Sequence, residues 1–188
     1  MKKRIVIVLI FVFSLFSGYS FDISQKNSLL KKTKEIESII AQKNFEQLIQ
    51  YIDDDMGLFI TDNINMNSFY SIHISKKMLK NIRNNEKKYA FFVDDDPRSP
   101  AWTTLFHYME TRFPLDKKDL EMISFNEFSV DNNSNLENSL IKEWNDAVFI
   151  EYYYLPSKEY VIDWLAVYFV FKQINGEYKL VGLTRNYQ

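Results

Sequence analysis

Glu151 is the residue best placed to do chemistry. It stands in the run Phe149-Ile150-Glu151-Tyr152-Tyr153-Tyr154, where strand alternation puts it on one sheet face with Phe149 and Tyr153. A carboxylate among such neighbours is partly desolvated, which raises its pKa toward the range a general base needs. Arg185, expected two strands away on the same face, is its candidate partner. The simpler reading of the two is a structural ion pair that ties a sheet edge together. Asp163 faces the other way and reads as a polar cap near a strand end. With no Cys and 2 His in 188 residues, thiol catalysis, thiolate zinc sites and disulfides are excluded, and imidazole metal clusters nearly so. His107 falls off the apolar stripe of its helix, and His73 sits at a strand end without a second ligand at suitable spacing. The stretch Asp131-Asn132-Asn133-Ser134-Asn135 mimics the start of a calcium loop. Leu136, however, stands where the turn glycine belongs, and Lys142 where the closing glutamate belongs. With 4 Gly there is no phosphate loop, so neither a metal nor a cofactor is expected.

The elements that would position these groups begin after a targeting segment. Lys2, Lys3 and Arg4 precede an apolar stretch from Ile5 to Phe13, and Ser17-Gly18-Tyr19-Ser20 supplies small residues for cleavage after Ser20. Residues 1–20 therefore read as a signal peptide and residues 21–188 as one exported domain, periplasmic or secreted. The apolar stretch is shorter than the roughly 20 residues of a membrane span, so no stable span remains after cleavage. Removing it leaves 20 basic against 25 acidic residues, a net of −5, which gives no footprint for nucleic acid. Without disulfides the fold must rest on apolar burial, and the 16% aromatic content is first of all core.

Apolar residues at helical spacing predict a helix over 28–42 and a second, short one from Phe45 to Ile52 with Asn44 as its cap. Leu58-Phe59-Ile60 and residues 69–74 read as strands, and Ser75 as the cap of a short helix. Residues 89–93 read as a further brief strand. Ser99-Pro100 reads as the start of a helix carrying Trp102, Phe106 and Met109, which Pro114 stops. From there the period becomes two: residues 121–130, 144–154, 160–172 and 178–187 are expected strands. Asn175-Gly176 predicts a type I′ hairpin turn, and unbroken pairing from it sets Val170 opposite Val181, Tyr168 opposite Leu183 and Ala166 opposite Arg185. A four-residue loop over 156–159 would then put Glu151 opposite Trp164. One face would carry Phe149, Glu151, Tyr153, Trp164, Tyr168, Arg185 and Tyr187. The aromatic set Trp102, Phe106, Tyr153, Trp164 and Tyr187 can line a pocket for an apolar or flat ligand, although such sets are more often core.

Helices gathered first and long antiparallel strands last describe an α+β roll. The segments Phe149-Ile150-Glu151-Tyr152-Tyr153-Tyr154, Asp163-Trp164, Val170-Phe171 and Gly176-Glu177-Tyr178-Lys179-Leu180-Val181-Gly182-Leu183 resemble the C-terminal sheet of the nuclear-transport-factor-2-like (SnoaL-like) superfamily, in particular its small exported bacterial members. Asn44-Phe45-Glu46-Gln47-Leu48 through Gly57-Leu58-Phe59 is similar to the helix, glycine, strand entry of such proteins. The resemblance implies N-terminal helices packed against a curved antiparallel sheet, a cone-shaped roll with a pocket between the two. It implies no particular catalytic residue here. The expectation is a noncatalytic binding module for a small apolar ligand or a protein partner. The alternatives are a cofactor-independent isomerase, dehydratase or hydrolase using Glu151, and a protein that self-associates as a homodimer through its sheet.

Overall fold

Leu29, Thr33, Ile36 and Ile40 recur at intervals of four, three and four residues, and the computed structural model buries that stripe in α1 (Ile23–Ala41). Each of its buried Leu and Ile side chains contributes roughly 2 kcal/mol of transfer free energy. The described residues are 22–61, 72–91, 101–117, 119–127, 144, 146–156 and 164–187. They form an α+β structure with a helix-rich N-terminal part, a mixed six-stranded sheet and a separate two-stranded sheet. Phe45–Gln50 is a 3-10 segment rather than an α-helix, and the Asn44 side chain makes no cap hydrogen bond. α2 (Lys76–Lys80) starts as expected, with the Ser75 hydroxyl accepting from the Met78 N–H. α3 (Leu105–Arg112) starts later than expected, with the Thr104 hydroxyl accepting from the His107 N–H. Ahead of it, residues Ala101–Thr104 extend as a strand, so Trp102 belongs to that strand and not to the helix.

The strands in chain order are β1 (Leu58–Thr61), β2 (Ile72–Ile74), β3 (Lys88–Phe91), β4 (Ala101–Thr104), β5 (Leu120–Phe125), β6 (Val148–Tyr154), β7 (Leu165–Ile174) and β8 (Glu177–Tyr187). The large sheet runs β2-β1-β8-β7-β6-β5, and β3 pairs with β4 apart from it. All pairs are antiparallel except β1 with β8, which makes the sheet mixed where an antiparallel one was expected. Asn175 and Gly176 have φ of 51° and 83°, the I′ turn that the sequence predicts.

The expected register holds from Ile174↔Glu177 to Phe171↔Leu180 and then breaks. Val170 faces Gly182, so β8 carries one extra residue there, a β-bulge. Every residue of β8 beyond it is displaced by one and changes face. Thr184, not Leu183, lies opposite Tyr168, and Arg185 lies opposite Val167 rather than Ala166. On β6 the register also differs from expectation: Glu151 faces Tyr168 and Tyr153 faces Ala166. The expected signal peptide, the expected Ser99-Pro100 helix start, the Asp131 to Asn135 run and Asp163 lie outside the described residues.

The sheet separates two apolar layers. Facing the helices, Ile150, Tyr152, Phe169, Phe171, Leu180 and Leu183 pack with Leu29, Ile36, Ile40, Phe45 and Leu48. On the other face Trp144, Phe149, Ala166, Tyr168, Val170 and Val181 form a smaller cluster.

Candidate functional site

Glu151 sits at the middle of β6 and is 1% exposed. Its side chain points away from the helices, toward the smaller cluster, since Ile150 and Tyr152 on either side of it belong to the helix-facing core. The ladder places five polar residues abreast on that face: Ser124 on β5, Glu151 on β6, Tyr168 on β7, Thr184 on β8 and Thr61 on β1. All but Ser124 are fully buried. The Tyr168 hydroxyl donates to Glu151 Oε1 at 3.0 Å. Burial, and then the Glu151 charge and this hydrogen bond, push the Tyr168 phenol well above its ordinary pKa. With the phenol held neutral, this contact ties β7 to β6. Tyr168→Phe should cost about 2 kcal/mol, because the bond has a charged acceptor. Glu151→Gln, which keeps an acceptor oxygen, should cost less. Urea unfolding of the three proteins measures both, and a neutral Tyr168→Phe would mean that the contact adds nothing.

Arg185 is not part of this row. The bulge turns it to the helix-facing side, across from Val167, where it is 6% exposed. Pairing with Glu151 on a common face is thereby ruled out for β8 as it is registered. The aromatic set is also dispersed. Tyr153 and Trp164 meet on the face opposite the helices, with ring centroids 6.1 Å apart. Phe106 packs against Phe45 under the Arg83 guanidinium in the helical part. Trp102 is 66% exposed on β4. The backbone of Tyr187 pairs with Leu165, and its side chain lies outside the described residues.

Asp53, Asp54, His73 and His107 make local contacts. The Asp53 carboxylate accepts from the Met56 and Asp55 N–H groups, which holds its pKa below the usual range, and Asp54 meets Lys76 at 2.9 Å. His73 Nε2 donates to the Met56 carbonyl at 2.7 Å, and the ring lies on Phe59. His107 is exposed, 4.0 Å from Glu110. Among the described residues no group of three or more His, Asp or Glu could hold a metal.

On the helix-facing side a second polar locus was invisible to sequence reasoning, because it joins α1 to β6. Tyr152 and Tyr154 approach Glu37 of α1. Burial, with the Glu37 charge second, pushes the Tyr152 phenol up to about 12 and Tyr154 higher still. Burial raises Glu37 itself against the pull of Lys34. For all three buried phenols the folded pKa exceeds the unfolded value of about 10. Their contribution to stability is therefore whole below pH ~10 and lost as pH rises through the folded values. Phenolate absorbance should show Tyr152, Tyr154 and Tyr168 ionising only together with loss of the far-UV circular dichroism signal. Free titration of all tyrosines in the folded state would contradict their burial.

Among the described residues, two grooves flank α1. The larger, about 680 Å³, runs between α1 and the strand β5 and is lined by Lys26, Leu30, Lys31, Lys34, Met122, Ile123, Phe125, Glu127 and Tyr152, with Ser124 between them. The other, about 520 Å³, lies between the start of α1 and the β7–β8 turn, where the Lys32 ammonium donates to the Tyr178 carbonyl at 2.7 Å. Neither is lined by Glu151.

These features define an α+β protein with a buried Glu–Tyr contact on one side of its sheet and an open, cation-rimmed groove on the other. No protein-family model matches the sequence, and no curated protein matches it. No helix among the described residues is long and apolar enough to cross a membrane.

Proposed function

We propose that this is an exported, noncatalytic binding module with the cone-shaped, nuclear-transport-factor-2-like roll that its strand and helix motifs resemble. Export rests on the charged and then apolar leader of residues 1–20. The observation that carries the binding reading is the groove between α1 and β5, about 680 Å³ and within the size range of small-molecule sites. It leaves Ile123 more than 40% exposed, while the interior beneath it is filled by Tyr152, Phe169 and Phe171. A ligand thus sits at the rim of the roll and not in its depth. Native mass spectrometry of the protein purified from its own source is expected to show a retained small molecule. Recovery of the bare chain alone would overturn the small-ligand reading in favour of a protein partner.

One observation favours a second reading. The buried contact of Glu151 with Tyr168 has the two polar groups within hydrogen-bond reach that an isomerase, dehydratase or hydrolase site would need. Such an enzyme would lose turnover in Glu151→Gln while keeping ligand affinity in the α1–β5 groove. Self-association through the sheet is a third arrangement, and light scattering that returned only the monomer mass would dismiss it.

A further inference from the structure

The groove beside α1 has a chemical bias that its apolar floor does not explain. Lys26, Leu30 and Lys34 recur every four residues along one face of α1, and Lys31 lies beside them. The row from Lys26 to Lys34 is about 12 Å long at 1.5 Å per residue, so it borders most of β5. Lys31 and Lys34 have no ion pair among the described residues, and Lys26 lies over the Phe125 ring at 5.0 Å. Glu127 is the one acid lining the groove; Glu37 lies deeper, next to Lys34, and does not line it. Three lysines against Glu127 on the lining and Glu37 beside Lys34 leave a local excess of one positive charge on a chain whose residues 21–188 carry a net of −5. Lysine stems are themselves apolar, so such a rim covers an acyl chain while its ammonium groups hold a charged head.

We infer that the groove takes a single-chain amphiphile with an anionic head, a free long-chain carboxylate, with the chain along Leu30, Ile123 and Phe125 and the carboxylate among Lys26, Lys31 and Lys34. This rests on the binding-module reading and goes beyond it by assigning a sign of charge. Each methylene removed from water there contributes about 0.8 kcal/mol, so the chain supplies most of the affinity and the lysines supply the selectivity.

Calorimetric titration of the mature chain with dodecanoate, dodecanol and dodecyltrimethylammonium, each below its micelle concentration, separates the two claims. Dodecanoate is expected to bind tightest and the cation weakest. The double variant Lys31→Glu, Lys34→Glu should weaken dodecanoate about tenfold or more, as expected for reversing two nearby exposed charges, and leave dodecanol unchanged. Both positions are exposed, so the variant keeps its fold, which circular dichroism checks. Ile123→Ser should weaken dodecanoate and dodecanol alike. Equal binding of all three amphiphiles, or no loss in the double variant, overturns the anion assignment and leaves the binding module standing. Absence of binding by all three overturns the assignment together with the small-ligand reading. Failure to bind free dodecanoate combined with sedimentation on phosphatidylglycerol vesicles would overturn the assignment by moving the anion from a free ligand to a lipid surface.

Discussion

Phe169→Ala should remove about 4 kcal/mol of stability, the largest loss expected from any single side chain on the helix-facing layer. Phe169 is wholly buried in the middle of β7, between Ile150 on β6 and Leu183 on β8, and its ring meets Tyr152 edge-on with centroids 5.2 Å apart. Truncation leaves a cavity walled by sheet on both sides, where neighbours are held by ladder hydrogen bonds and cannot collapse into the space. That loss is a large share of the ~5–15 kcal/mol a domain usually has, and corresponds to a fall in Tm of roughly 8–16 °C. Phe106→Ala, at a half-buried position, is the control and should cost much less. Thermal or denaturant unfolding decides it, and equal losses in the two variants would contradict the placement of the core.

Gly57→Ala should cost about 3 kcal/mol, from adding two effects. Gly57 has φ of +64°, which by itself costs a non-glycine residue roughly 1 kcal/mol or more. An added Cβ would also lie 2.5 Å from His73 Nε2 and 2.7 Å from the Ile74 carbonyl oxygen. The histidine can swing away at the price of its bond to Met56, but the carbonyl belongs to β2 and cannot move without β1. Since β1 also supplies Thr61 to the polar row, the substitution should loosen that end of the sheet first. Hydrogen exchange at the β1–β8 amides is expected to accelerate more than at β6–β7; uniform acceleration would contradict this local origin.

What the sequence made legible was whatever depends on local pattern. The apolar spacing of α1, the Ser75 cap and the Asn175-Gly176 turn all specify geometry over a few residues, and each is found as the pattern predicts. The position of Arg185 depended on register carried ten residues from a turn, and one bulge beside Gly182 reversed it. Nothing in Leu180-Val181-Gly182 distinguishes a bulge from continued pairing, beyond the glycine itself. Parallel pairing of β1 with β8 and the approach of Glu37 to Tyr152 and Tyr154 join segments more than a hundred residues apart, for which local pattern has no vocabulary. Glu151 was identifiable because an acid in an apolar strand is anomalous wherever it falls. Tyr168, its partner, was hidden among many aromatics that read equally well as core.

The groove escaped notice for a different reason. Leu30, Lys31 and Lys34 look like the ordinary flank of an amphipathic helix, and Met122 and Ile123 like an ordinary strand. Only their juxtaposition, with β5 left partly uncovered by α1, makes a site.

The direct measurement is a map of backbone amide chemical shifts of residues 21–188 titrated with dodecanoate. Binding in the groove predicts shifts concentrated in residues 26–34 and 122–125, with the amides around Glu151, Tyr168 and Thr184 unmoved. Shifts centred on those three residues, with α1 silent, would contradict it.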